Sequence, residues 1–160
     1  MKKSLSVFLV IALFTCLSLK GQTDKAKEEE AIKAVIEGEI HASFDGDYAT
    51  WSNFFVHEPY LVWMQAWKDG KSCWKGWQEI SDQAKIFVKP ERKGTIVFNG
   101  NTGYTIRVYG NASYASFLCK STNLFGEKKE TDAMEVRFLE KHNGNWKIAY
   151  LSSIYTSTYK

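Results

Sequence analysis

Carboxylates on an apolar helix face are the first residues in this chain whose type and spacing suggest chemistry. In the stretch EEEAIKAVIEGEIHASF, residues 28–44, Ile32, Val35, Ile36 and Ile40 recur at helical spacing and define one face. Glu39 falls roughly 35° from the centre of that face at about 100° per residue. A carboxylate there has to be paired, protonated or open to a cavity, because burying it alone is costly. It can anchor a ligand, act as a lone general acid or base, or be a fold-specifying carboxylate held by Trp, Tyr or Arg donors. The three histidines (His41, His57, His142) are scattered and no CxxC occurs, so no metal site is expected. No nucleophilic triad, phosphate loop or nucleotide fingerprint is present, and no cofactor is expected.

The elements that must position Glu39 can be read from the order of the chain. Residues 25–44 read as a first helix, broken by Asp45-Gly46-Asp47, with Asp47 able to cap the next one. Residues 48–56 give that short second helix, with Tyr48, Trp51 and Phe55 on one side. Residues 60–67 read as a strand, 72–75 as its returning partner, and 76–88 as a third helix bearing Trp77, Ile80, Ala84 and Phe87. From Gly94 the period changes to two. Strands are expected over 95–98, 104–109, 113–120, 131–141 and 145–155, with turns at Asn99-Gly100-Asn101, Gly110-Asn111 and Asn143-Gly144, and a polar loop over 125–129. The order is α+β: three helices in the first half, then an antiparallel meander that can wrap the first helix.

Alternation places Leu61, Trp63, Gln65 and Trp67 on one face of the first strand. It places Trp146, Ile148, Tyr150 and Ser152 together on the last strand. Arg107 and Arg137 alternate opposite the apolar positions of their strands and are expected at a solvated or dimer-facing surface. His41 lies opposite the apolar helix face.

The 160 residues suit one domain, and 44% hydrophobic with 15% aromatic content argues against disorder. Lys2 and Lys3 precede the apolar run 7–19, so residues 1–21 read as a signal peptide and 22–160 as the mature domain, periplasmic or extracellular and without membrane attachment after cleavage. The leader holds three of the 21 basic residues, leaving 18 against 18 acidic ones. A formally neutral mature chain speaks against nucleic-acid binding. Cys73 and Cys119 can pair in an exported protein or remain buried free thiols.

In order and spacing, these elements resemble the nuclear-transport-factor-2-like superfamily, which includes SnoaL-like cyclases and ketosteroid isomerases. The residues that carry the resemblance are the first helix closed by Asp45-Gly46-Asp47, Tyr48-Ala49-Thr50-Trp51, Phe54-Phe55, the Trp63 strand, Gly76-Trp77-Gln78-Glu79-Ile80, Val136 to Lys141, and Asn143 to Ile148. The resemblance implies a cone: a strongly curved antiparallel sheet around the N-terminal helix, a pocket at the wide end, and often a homodimer. It puts Glu39 at the isomerases' oxyanion-binding position, Trp63 where their base lies, and Met134 near their second acid, so the isomerase set is absent. It also implies that Met134, Val136 and Phe138 look into the cavity with the last-strand face. The expected pocket is therefore Glu39, Trp63, Gln65, Trp67, Met134, Tyr150 and Ser152, mostly aromatic and apolar, holding a small apolar or aromatic molecule. The alternatives are a lyase, isomerase or hydrolase using Glu39 alone, and a dimeric interaction domain with a packed cavity.

Overall fold

The computed structural model describes the backbone of residues 4–124 and 128–155, with side chains for 25–124 and 128–155. Three helices are α1 (Ser4–Asp45), α2 (Tyr48–Ser52) and α3 (Trp77–Phe87), with a 3₁₀ turn at Pro90–Arg92. Six strands are β1 (Val62–Trp67), β2 (Gly70–Lys75), β3 (Ile96–Tyr109), β4 (Ala112–Asn123), β5 (Lys129–His142) and β6 (Asn145–Tyr155). The α+β order read from the sequence is the order observed. The side chains of the expected leader 1–21 lie outside the described residues, as do residues 125–127 of the loop expected over 125–129.

One open sheet runs in the order β2-β1-β6-β5-β4-β3. The hairpin partners pair antiparallel, as short turns require, while β1 lies parallel to β6. The sheet is thus mixed, because β1 joins the last strand through no hairpin. The turn expected at Asn99-Gly100-Asn101 is a bend within one long strand. Register shifts between Phe98 and Gly100 and between Thr102 and Thr105 keep β3 paired to β4 throughout. Such bulges increase local twist and curl a sheet.

The core lies between α1 and the inner face of the sheet. Ile32, Ile36 and Ile40 are 0–5% exposed and meet Ala115, Phe117, Leu139, Ile148 and Leu151. Trp51 of α2 fills the adjoining space, 4.2 Å from the Phe55 ring. Two polar clamps hold α1 lengthwise. Towards the middle of α1, Glu28 accepts from Lys141 Nζ at 2.6 Å and Trp146 Nε1 at 2.7 Å. The Lys141 bond, then the Trp146 bond, hold the Glu28 carboxyl below its ordinary range. The second clamp, at Glu39, belongs to the site described below.

Where α1 ends, Gly46 takes φ +69°, the left-handed conformation that stops helices. A Cβ on Gly46 would sit 2.1 Å from the Lys89 carbonyl oxygen, whereas one on Gly144 (φ +82°) would meet nothing within 4 Å. Gly144→Ala therefore carries only the left-handed penalty, about 1–2 kcal/mol. Gly46→Ala adds displacement of the Lys89–Pro90 backbone. We expect Gly46→Ala to lower the thermal midpoint distinctly more than Gly144→Ala; equal losses would show that the close approach is dispensable.

Candidate functional site

Glu39 is 4% exposed and both its oxygens are occupied. Oε1 accepts from Trp51 Nε1 at 3.1 Å and Oε2 from Arg137 Nη2 at 3.1 Å. Arg137 reaches inward from β5 and is 3% exposed. Its Nη1 donates to Glu135 Oε2 at 2.7 Å, to the Val136 carbonyl at 3.1 Å and to the Ser152 carbonyl at 3.5 Å. Ser153 Oγ also donates to Glu135 Oε2, at 2.8 Å. Glu135 Oε1 has no protein donor among the described residues. The interior thus holds two carboxylates bridged by one guanidinium.

A cavity of about 240 Å³ opens against this cluster. Glu39, Glu135 and Arg137 form its charged side, with Trp63, Gln65 and Ser153 among the other walls. An adjoining lobe of about 160 Å³ shares Glu39, Trp63, Gln65 and Phe44 with it and adds Phe87 and Arg92. Among the described residues, Trp63 Nε1 and Arg137 Nε are buried and have no hydrogen-bond partner.

Burial drives the Glu135 pKa upward, opposed by Arg137 and by the Ser153 hydroxyl, and Glu39 adds to the rise. Burial works against the charge on Arg137, but the two carboxylates outweigh it and raise its pKa. The Cys119 thiol, on the cavity wall, is pushed to about 12 by burial first and then by Glu135. That keeps it protonated and poorly nucleophilic at neutral pH.

Of the residues expected at the pocket, the structure brings Glu39, Trp63 and Gln65 together around the cavity. Trp67, Met134, Tyr150 and Ser152 are not among its lining. Trp67 lies at the end of β1 and is 40% exposed. Tyr150 and Ser152 sit on the outer face because of a bulge. Leu139 pairs with Ile148 and Phe138 with Tyr150, leaving Ala149 without an opposite residue. One extra residue reverses the alternation, so Trp146 and Ile148 face in, and beyond the bulge Leu151, Ser153 and Tyr155 do.

On β5 the alternation is regular and runs opposite to the expectation. Ala133, Glu135, Arg137 and Leu139 are buried, while Met134 and Phe138 are 43% and 48% exposed. Arg137, expected at a surface, is the centre of the buried cluster. Sequence reasoning misses Glu135 as a site residue; the signal for it is the pair of opposite charges two residues apart on one strand face. The second acid that the resemblance placed near Met134 finds a carboxylate one residue further along, at Glu135. Arg107 is exposed, as expected, and His41 lies outside the cavity, with its ring 5.0 Å from Phe98. Of the two alternatives for Cys73 and Cys119, the structure shows free thiols, Cys119 buried but Cys73 exposed.

No protein-family profile matches the sequence, and no curated protein matches it. Solved structures do. An NTF2-like superfamily protein from Salmonella enterica is 21% identical, with a TM-score of 0.65 over 86% of this chain and 94% of that one. A Streptomyces avermitilis protein described as a candidate dehydratase of the NTF2-like family is 13% identical, with a TM-score of 0.69 over 84% and 99%. An NTF2-like protein with a cystatin-like fold from Novosphingobium aromaticivorans is 12% identical, with a TM-score of 0.65 over 87% and 88%. The chain has the NTF2-like, cystatin-like fold. At these identities the likeness extends to the fold alone.

Two outcomes are expected of the ion cluster. Arg137→Met leaves two buried carboxylates without their counter-ion and should cost about 3–5 kcal/mol at neutral pH, with partial recovery in acid. For Glu135 the folded pKa lies above the ordinary 4.5, so the folded state binds that proton more tightly. Its contribution to stability is full below that value and is lost as pH rises through the folded pKa. Denaturant titrations across pH should show this slope in the native chain and a flatter one in Glu135→Gln. An unchanged slope would mean that Glu135 does not titrate differently on folding.

Proposed function

We propose that the chain is an exported small-molecule-binding domain whose ligand sits in the cavity bounded by Glu39, Arg137, Glu135, Trp63 and Gln65. The observation that carries this reading is that the cavity ends on a buried charge cluster. An empty space beside a carboxylate oxygen that has no donor among the described residues disfavours the packed-cavity alternative. Its lining is mixed rather than mainly apolar, since Ser43, Gln65, Ser121, Thr131 and Ser153 accompany Trp63, Phe44 and Ile40. The ligand is therefore small and carries at least one polar group. Glu39 anchors Arg137 and Trp51 instead of meeting the ligand with a free oxygen.

Native mass spectrometry of protein recovered from its own host tests this. A bound small molecule should accompany the native chain and be lost from Ser121→Phe, which fills the cavity. The same spectrum reads the N-terminus, where the mass should correspond to residues 22–160. An unoccupied native chain would count against the binding reading, and a retained leader against export.

A second reading has one observation in its favour. Glu135 has one oxygen fixed by Arg137 and Ser153 and the other without a donor among the described residues, and burial favours its proton. If the domain is a lyase or isomerase, Glu135 is the acid–base group and Glu39 positions Arg137. Turnover abolished by Glu135→Gln would support that reading. Turnover unaffected by the substitution would sink it.

The outer sheet face supports pairing with a second copy. Tyr114, Phe138 and Tyr150 form an edge-to-face ladder with centroids 5.4 and 5.6 Å apart, bordered by the exposed Met134 and Ile154. An apolar face of this kind marks an interaction surface, with the exposed Arg107 opposite Tyr114 at its border. Sedimentation should show a dimer for the native chain and a folded monomer for Phe138→Lys; a native monomer would refute it.

A further inference from the structure

Resting on the binding reading above, we propose that the lobe of the cavity lined by Glu135 receives an organic ammonium group, held as an ion pair by Glu135 Oε1, the oxygen without a donor among the described residues. Glu39 and Glu135 face one guanidinium, so with both ionised the cluster carries one uncompensated negative charge. The donor positions are divided unequally between the two carboxylates. Glu39 has one donor on each oxygen, whereas both donors to Glu135 converge on Oε2. The deficit is therefore located at Glu135 Oε1, on a side chain 6% exposed that lines the cavity. A buried carboxylate with an open oxygen takes up either a proton or a cation.

The other charged and titratable groups around Glu135 supply no such cation. Glu39 faces it from α1, Cys119 from β4 and Arg137 from its own strand, and Tyr155 of β6 completes the lining. Arg137 is already shared, and the thiol is held protonated. The further cation, Arg92, belongs to the adjoining lobe, where it lies 5.8 Å from the Phe87 ring centroid. The two lobes thus differ in charge: two carboxylates and one guanidinium line the first, whereas the second sets Arg92 against Glu39. An anionic ligand would be drawn to Arg92 and repelled from Glu135. An ammonium has the opposite preference, and the aromatic walls Trp63 and Phe44 suit a cation as well as an apolar body.

Binding an ammonium at Glu135 displaces a proton from it. The burial that raises the Glu135 pKa therefore makes ammonium affinity rise with pH, while an alkylammonium stays charged throughout the neutral range.

Three probes of one shape separate the possibilities: benzylamine, benzyl alcohol and benzoate, titrated into the full chain by calorimetry, with NMR shifts of the cavity residues followed in parallel. At about pH 8 benzylamine should bind at least about ten-fold more tightly than benzyl alcohol, the worth of one well-placed ion pair, and benzoate most weakly. Benzylamine affinity should fall towards about pH 5, where a carboxyl of raised pKa keeps its proton. Glu135→Gln should abolish the preference while benzyl alcohol affinity stays within a few-fold. If benzyl alcohol equals or exceeds benzylamine, the ligand class is wrong and the pocket stands. If none of the three shifts the cavity resonances at millimolar concentration, the binding reading fails with it. Should Glu135→Gln not fold, the preference and pH dependence of the native chain decide alone.

Discussion

Two carboxylates and one guanidinium share the interior of this protein, and the surrounding structure supplies what water would otherwise provide. Charges buried this deeply persist only when each is paired and its remaining hydrogen-bonding positions are filled. Glu39 comes from α1, Glu135 and Arg137 from β5, Trp51 from α2 and Ser153 from β6, so the cluster ties four elements to one point. Hydrophobic contacts alone would let α1 slide or rotate along the sheet at modest cost. A guanidinium reaching Glu39 at 3.1 Å fixes both the rotation and the axial position of the helix. The Glu28 clamp, towards the middle of α1, does the same with Lys141 and Trp146. Between the clamps α1 needs only aliphatic side chains, and Ile32 and Ile36 supply them.

The cavity is a consequence of the same cluster. Side chains that carry charge inward cannot be packed as densely as Leu or Ile without stripping the last unpaired oxygen of any partner. Space beside Glu135 Oε1 relieves that demand, because a water, a proton donor or a ligand can enter. Had the β5 positions 135 and 137 been aliphatic, the sheet could close on α1 and the site would vanish. Fold specification and site formation are here one set of interactions seen from two sides.

Much of the fold was legible because its signals are local. The Asp45-Gly46 stop, the Lys89-Pro90 break and the Asn143-Gly144 turn punctuate the chain, and the change of period after Gly94 separates helices from strands. Asn143 and Gly144 both adopt positive φ, as a tight hairpin turn requires. The position of Glu39 on the helix was legible for the same reason, since helical periodicity has no register to slip. The strand faces were less so. On β6 a single unpaired residue, Ala149, reverses inside and outside, and nothing in the pattern WKIAYLSSIY marks it. On β5 the rule that apolar residues face inward fails because both faces carry apolar side chains: the inner sets an ion cluster against α1, and the outer leaves Met134 and Phe138 exposed beside an aromatic ladder.

That failure has a physical cause that changes the role of Glu39. Considered alone, a carboxylate on an apolar helix face looks like the reactive group of a pocket. Placed beside Arg137 it has both oxygens satisfied, and Glu135 is the carboxylate left with an oxygen that no described residue engages. The distinction does not depend on burial, since Glu39 and Glu135 are buried alike at 4% and 6% exposure. It depends on how donors are distributed: Trp51 and Arg137 divide themselves between the two oxygens of Glu39, whereas Arg137 and Ser153 crowd onto one oxygen of Glu135. A carboxylate with donors on both oxygens is fixed in place, while one with donors on a single oxygen presents the other to the cavity. Glu39 builds the cluster, and Glu135 faces the cavity.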